Sequence, residues 1–132
     1  RPGEPRPTGC GRRASWRDLP RAGPTHLYLA PSPAVAVADL LADLARGYYL
    51  LDAAGPVVLD LDQASFRVPV VGWAVQSGRA VAPAGGLVLA GPVAALLRGI
   101  QAAARDLAFV PDDGLIGSPT LLVTGLKLRP AG

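Results

Sequence analysis

The sequence predicts an α+β domain, with two amphipathic helices at about 33–46 and 92–104 packed on a mixed, largely antiparallel β-sheet. Three observations carry that prediction. Two stretches place apolar residues at helical spacing, each opened by a proline. Several short apolar runs lie between turn formers, as strands do. Gly and Pro together make up 30 of the 132 residues, enough to punctuate many short elements.

Residues 1–24 hold five Pro and four Gly with no apolar period, and read as an extended basic arm ahead of a single α+β domain at 25–132. Thr25–Leu29 is a first short strand. Ser32 then offers a cap and Pro33 a preorganised first position for a helix whose face is Val37, Leu40, Leu41 and Leu44, with Gly47 as its C-terminal stop. Tyr48–Ala53 and Val57–Leu61 read as strands separated by a turn at Gly55-Pro56. Phe66–Gln76 is a longer strand with Val71, Trp73 and Val75 on one face, and Pro69 implies an edge position or a bulge. Ser77-Gly78 makes a two-residue hairpin turn, returning along Arg79–Pro83 with Val75 opposite Ala80 and Trp73 opposite Ala82. Gly85-Gly86 bends the chain before a strand at Leu87–Ala90. Pro92 opens the second helix, striped by Val93, Leu96, Leu97, Ile100 and Ala104, and Gly99 inside it implies a close packing contact. Leu107–Val110 is a short strand, Pro111–Gly114 a turn, Thr120–Leu126 the last strand, and Pro130–Gly132 a tail.

Half the residues are hydrophobic and 17% are charged, which excludes a disordered or highly charged chain. The net charge of +3 is unevenly placed. Residues 1–21 carry Arg1, Arg6, Arg12, Arg13, Arg17 and Arg21 against Glu4 and Asp18, a balance of +4, so the remainder is −1. The basic character belongs to the arm. A chain that begins with Arg and holds no Met reads as a piece of a longer product. The lone Cys10 forms no internal disulfide, which points to a reducing, cytoplasmic setting. The uncharged stretch Ala80–Leu97 is broken by Pro83, Gly85, Gly86, Gly91 and Pro92, so no transmembrane helix is expected.

The residues that carry chemistry are few. His26 is the only His and Cys10 the only Cys, sixteen residues apart, where a zinc site wants three or four ligands. No Gly-x-Ser-x-Gly elbow is present, and Ser118, followed by Pro119, reads as a loop residue. Asp60 and Asp62 at i and i+2 would share one face of a strand as an acid and base pair, but Gln63-Ala64-Ser65 makes a solvated turn the better reading. Asp112 and Asp113 before Gly114 are turn formers. Trp16 and Trp73 are isolated and form no stacking platform for nucleic acid. The residues present therefore give no catalytic, cofactor-binding or metal-binding assignment.

Several segments, in order, resemble the C-terminal half of the TldD/PmbA (TldE) metallopeptidase family. Thr8-Gly9-Cys10-Gly11-Arg12-Arg13 and then Ser15-Trp16 resemble its Thr-Gly-Asn-Gly/Ala-Arg-Arg run followed by Ser-Tyr. Pro24-Thr25-His26-Leu27-Tyr28 resembles a Pro-Thr-Asn-Leu-Tyr strand. Asp39-Leu40-Leu41 through Arg46-Gly47-Tyr48-Tyr49 resembles a helix ending in Arg-Gly-Leu-Tyr. Trp73–Arg79 is similar to a strand whose hairpin turn reads Ile-Glu-Asn-Gly-Glu, and Arg105-Asp106-Leu107 to the end of a Val-Gly-Asn-Asp-Leu stretch. Gly117-Ser118-Pro119-Thr120-Leu121 through Leu126 resembles the closing Gly-Gln/Ser-Pro-Thr-Leu strand. The resemblance spans roughly 8–128.

The resemblance implies a cytosolic complex of paired subunits acting on peptides. In the active partner, zinc is held by a His-Glu-x-x-x-His helix N-terminal to this region and by a late Cys. That Cys would fall in the interval Asp106–Pro119, which contains none, and Cys10 stands at an Asn position of the family motif. No family ligand transfers to any residue here. The implied role is an accessory C-terminal domain of a TldE/PmbA-like subunit, with zinc expected only in the active partner. Its implied partners are the N-terminal half of the parent chain, a TldD-like subunit and, in the complex, a peptide substrate; no membrane is implied. The alternative is a nucleic-acid module using the Arg-rich arm.

Overall fold

The computed structural model describes residues 10–13, 15–23, 26–111 and 115–131. Twelve strands and two short helices follow one another along them. The order is β1 (Gly11–Arg12), β2 (Arg21–Ala22), β3 (His26–Tyr28), α1 (Val37–Ala42), β4 (Arg46–Ala53), β5 (Val58–Asp60), β6 (Ser65–Gln76) and β7 (Arg79–Pro92). Then come α2 (Val93–Gly99), β8 (Ile100–Ala103), β9 (Ala108–Pro111), β10 (Leu115–Ser118), β11 (Leu121–Val123) and β12 (Lys127–Pro130). The expected α+β class is thus corrected to a mostly β domain. Its helices have six and seven residues and supply no helical layer.

The two helices shrink for different reasons. At the first, Ser32-Pro33 makes a turn, closed by the Val35 N–H on the Ser32 carbonyl, instead of a helix start. The helix begins after Ala36, whose N–H donates to the Asp39 carboxylate. It ends at Asp43, and Arg46 and Gly47 already belong to β4, so Gly47 is a strand residue and not a cap. The carbonyls of Leu44 and Ala45 accept from Gly78 and Ser77, which ties the helix end to the β6–β7 turn. At the second, helical spacing runs to Ala104, but Ile100–Ala103 pairs with β11. Non-local pairing overrides the helix preference of Ala102 and Ala103.

The long β6–β7 hairpin is the centre of a five-stranded sheet ordered β12-β7-β6-β4, with β5 on β6 beyond the end of β4. Ser77 and Gly78 both take positive φ, 48° and 75°, as a two-residue turn requires. Val75 stands opposite Ala80 as expected, but Trp73 meets Pro83 and not Ala82. An extra residue on β7 shifts the register between Ala74 and Val75, and turn residues do not announce such a bulge. The expected Val71-Trp73-Val75 face is unevenly covered. Val75 is buried, whereas Val71 and Trp73 are 36% and 42% exposed.

Gly85-Gly86 is a second bulge, with Gly86 at φ 62°, and β7 runs through it as one strand. Pro69 lies mid-sheet, between the β6 residues paired with β5 and those paired with β4. Its carbonyl accepts from Ala54, and its missing N–H falls at this handover, where no ladder bond is lost.

Thr120–Leu126 also divides: β11 pairs with β8, the chain turns at Gly125 with φ 80°, and β12 joins the large sheet. A three-stranded sheet, β3-β10-β9, is parallel between β3 and β10 and antiparallel between β10 and β9. Within the arm, β1 and β2 form a small ribbon, Gly11 opposite Ala22 and Arg12 opposite Arg21. Thr25, the first residue of the expected strand, residues 112–114 of the expected turn, and Gly132 of the tail lie outside the described residues, as do residues 1–9, 14 and 24 of the arm. Among the described residues the buried apolar core is Leu40, Phe66, Val70, Val75, Val88 and Ala104. None of their helices is long and apolar enough to cross a membrane.

Candidate functional site

A large concavity lies between the β4, β7 and β12 side of the five-stranded sheet and the segment 118–126. It measures about 780 Å³ and is lined by Tyr48, Leu50, Leu89, Leu96, Leu126 and Leu128, with Asp106 and Thr120 also on its wall. The apolar part follows from strand alternation: Leu89 and Leu128 are direct register partners and project on one face.

The polar part is a clasp. The Asp106 carboxylate accepts from the Thr120 N–H at 2.9 Å and from the Thr120 hydroxyl at 2.7 Å. The Ala104 N–H donates to the Thr120 carbonyl at 2.8 Å. Both ends of the 106–120 interval are thereby fixed, and the β9–β10 pair is held between them. Gly117 in β10 has no side chain, so the Phe109 ring closes over it and meets Tyr28 edge-on, with centroids 6.0 Å apart.

The side-chain and backbone hydrogen bonds from Thr120 hold the Asp106 carboxyl below its ordinary value of 3.8. A depressed folded-state pKa contributes stability above the unfolded value and loses it as pH falls through the folded value. Asp106→Asn is therefore expected to lower the melting temperature at neutral pH. The difference should narrow as pH falls below 3.8 and through the depressed folded-state value; thermal melts of the two proteins across that range check it.

The sequence candidates are scattered. His26 opens β3 opposite Leu115 and is exposed. Cys10 is half-buried in the arm, its carbonyl accepting from Gly23. The Ser118 hydroxyl donates to the Pro119 carbonyl and reaches no base. Asp60 accepts from the Gln63 N–H, and Asp62 lies in the exposed turn that follows. Asp112 and Asp113 lie outside the described residues. Trp16 is exposed at a tip of the arm and Trp73 is set in β6 between Tyr49 and Pro83. Sequence reasoning missed the Asp106–Thr120 clasp, because nothing local marks a pair fourteen residues apart.

Among its described residues this β-rich domain presents an apolar groove and a carboxylate clasp. The family model of the PmbA/TldA metallopeptidase C-terminal domain matches residues 3–129. The chain belongs to that family. Its fold is similar to that of a candidate DNA gyrase modulator from Thermotoga maritima MSB8, at 22% identity and a TM-score of 0.76, over 94% of this chain and 27% of that one. It is also similar to TldE from Thermococcus kodakarensis, at 19% identity and a TM-score of 0.75, over 92% of this chain and 27% of that one. A third structure, a candidate modulator of DNA gyrase from Bacteroides thetaiotaomicron VPI-5482, gives 15% identity and a TM-score of 0.67, over 76% and 22% of the two chains. The chain spans about a quarter of the length of these structures. No curated protein matches it.

The family name implies a metal. Among the described residues no three of His, Cys, Asp and Glu come together as ligands. The described residues do not supply the three or four donors of a resident zinc ion.

Proposed function

We propose that this chain is the C-terminal domain of a TldE/PmbA-like subunit of a cytoplasmic metallopeptidase complex, in which it has an accessory, structural role and no metal site of its own. The observation that carries the reading is the 106–120 interval. It is closed by the Asp106–Thr120 clasp and holds no Cys where the resemblance calls for a ligand. Residues 25–132 are the folding unit and 1–24 the connecting arm. The open state of the surface supports the reading. Leu61, Leu59, Val110 and Leu27 are among the exposed apolar side chains, as befits a domain that packs against more protein.

Reconstitution tests it. The full-length subunit mixed with a TldD-like partner is expected to support peptide cleavage, with all chelatable zinc on the partner. Cleavage by this subunit alone would overturn the accessory role. The alternative, a nucleic-acid module, draws on the arginines gathered in the arm. It predicts binding that weakens steeply with salt and vanishes when residues 1–21 are deleted.

A further inference from the structure

Among the described residues β5 pairs with β6 alone, so its outer side is a free sheet edge. The register with β6 fixes what each face of that edge presents. Leu59 stands opposite Phe66 and shares its face, and Phe66 belongs to the buried core. Val57 and Leu61 continue the Leu59 face when the strand is extended by one residue at each end. Val57, Leu59 and Leu61 are 59%, 59% and 87% exposed, an apolar row along the free edge. On the other face Val58 stands opposite Arg67 and Asp60 opposite Ser65. Arg67 and Asp60 line one hollow of about 300 Å³ there. Asp60 accepts from the Gln63 N–H, and neither side chain has an ion-pair partner among the described residues.

An edge with an apolar row on one face, and one cation and one anion on the other, is complementary to itself. We propose that β5 pairs antiparallel with β5 of a second copy of this chain, across a twofold axis centred on Leu59. In that register Leu59 meets its own copy and Val57 meets Leu61, so each apolar row covers the other and joins the two Phe66 side chains through Leu59. Asp60 falls opposite Val58 of the second copy, whose neighbour across the sheet is that copy's Arg67. The two Cα atoms are then about 10 Å apart, two strand spacings, which an Asp and an Arg side chain together span. The axis makes this ion pair twice. Charge and pattern reject the neighbouring registers. Centring on Asp60 sets two carboxylates face to face, and centring on Leu61 sets Asp60 against Asp62. Centring on Val58 brings Pro56, which has no N–H, opposite Asp60. A slip of one residue puts Leu59 opposite Asp60 and mixes the two faces. Both faces match at a single register, which selects a second copy as the occupant.

Sedimentation of the full-length protein tests it and is expected to show a reversible dimer in the micromolar range. Arg67→Asp and Asp60→Arg should each weaken the dimer about tenfold or more, and the double variant should return to within about threefold of the unaltered protein. Leu59→Cys gives an independent reading. It sets two thiols across the axis at the Cα separation of a cross-strand pair, about 5 Å, which a disulfide bridges. Oxidation should link two copies through these residues, whereas Leu97→Cys on α2, where Leu97 is comparably exposed, should not link them. A protein that stays monomeric at about 100 μM would overturn the proposal. So would equal linkage at positions 59 and 97, or a double variant with native circular dichroism and no recovery. Linkage of Leu59→Cys only to an added TldD-like subunit would overturn it too, because it assigns the edge to that partner. The accessory role stands apart from this contact, since it is read from zinc and peptide cleavage.

Discussion

Gly72→Val is expected to leave the chain unfolded or aggregated. Gly72 faces Leu50 in the β4–β6 ladder, and a Cβ at this position would run into the Tyr49 carbonyl and the Leu50 Cα. Both obstacles are backbone, so no side-chain rotation relieves the collision. The β4 register shifts between Leu50 and Asp52 at the same place, and the two strands approach closely there because the glycine allows it. The strands that would be forced apart carry the central sheet. A cost of about 3–5 kcal/mol is expected, comparable with the whole stability of a small domain. Circular dichroism and a denaturant titration of the variant measure it; a native-like spectrum with an unchanged midpoint would show that the approach is not as close as described.

The second large effect is expected at Gly99. This residue ends α2, and an added Cβ would strike the Thr124 carbonyl and crowd Val123. The Gly99 carbonyl also accepts from the Thr124 N–H at 2.9 Å, so neither strand end can withdraw without losing that bond. Gly99→Val should cost about 3 kcal/mol or more and release the β8–β11 pair, loosening the Asp106–Thr120 clasp. Hydrogen exchange follows this directly, with the amides of Thr124 and Ala104 losing protection in the variant. Gly99→Ala should show the same pattern in milder form. Retained protection at both amides would separate Gly99 from the pairing of β8 and β11.

Gly99 also shows how far the sequence reads. A glycine interrupting a helical stripe called for a close contact, and the Thr124 backbone supplies it. The stripe itself misled, because Ile100 satisfies helical spacing and strand pairing equally well, and only β11, some twenty residues on, decides between them. The same holds at the first helix, where Leu44 continues the apolar period but its carbonyl is taken by Gly78. Short helices beside a large sheet leave little in a local pattern to mark where they stop.

The hairpin was legible because Ser77-Gly78 fixes the turn chemistry locally, yet the partner of Trp73 was not, because a bulge is decided by how β7 fits β6 along its whole length. Of the candidate site, the scattering of His26, Cys10 and Ser118 could be read from their number and spacing. The groove and its clasp could not, since they join residues of β4, β7 and β12, of α2, and of the loops that hold Asp106, Thr120 and Leu126. The arginines of the arm were visible as a charge run; that Arg12, Arg13, Arg17 and Arg21 line one hollow depends on β2 pairing with β1.

The central claim is that this subunit supports a metallopeptidase without holding its metal. Zinc analysis of the purified full-length protein, with a peptide-cleavage assay before and after chelation, tests it most directly. Less than about one-tenth of a zinc ion per chain and no cleavage by the subunit alone are expected. About one zinc per chain retained through dialysis, with peptide cleavage that chelation abolishes, would contradict it.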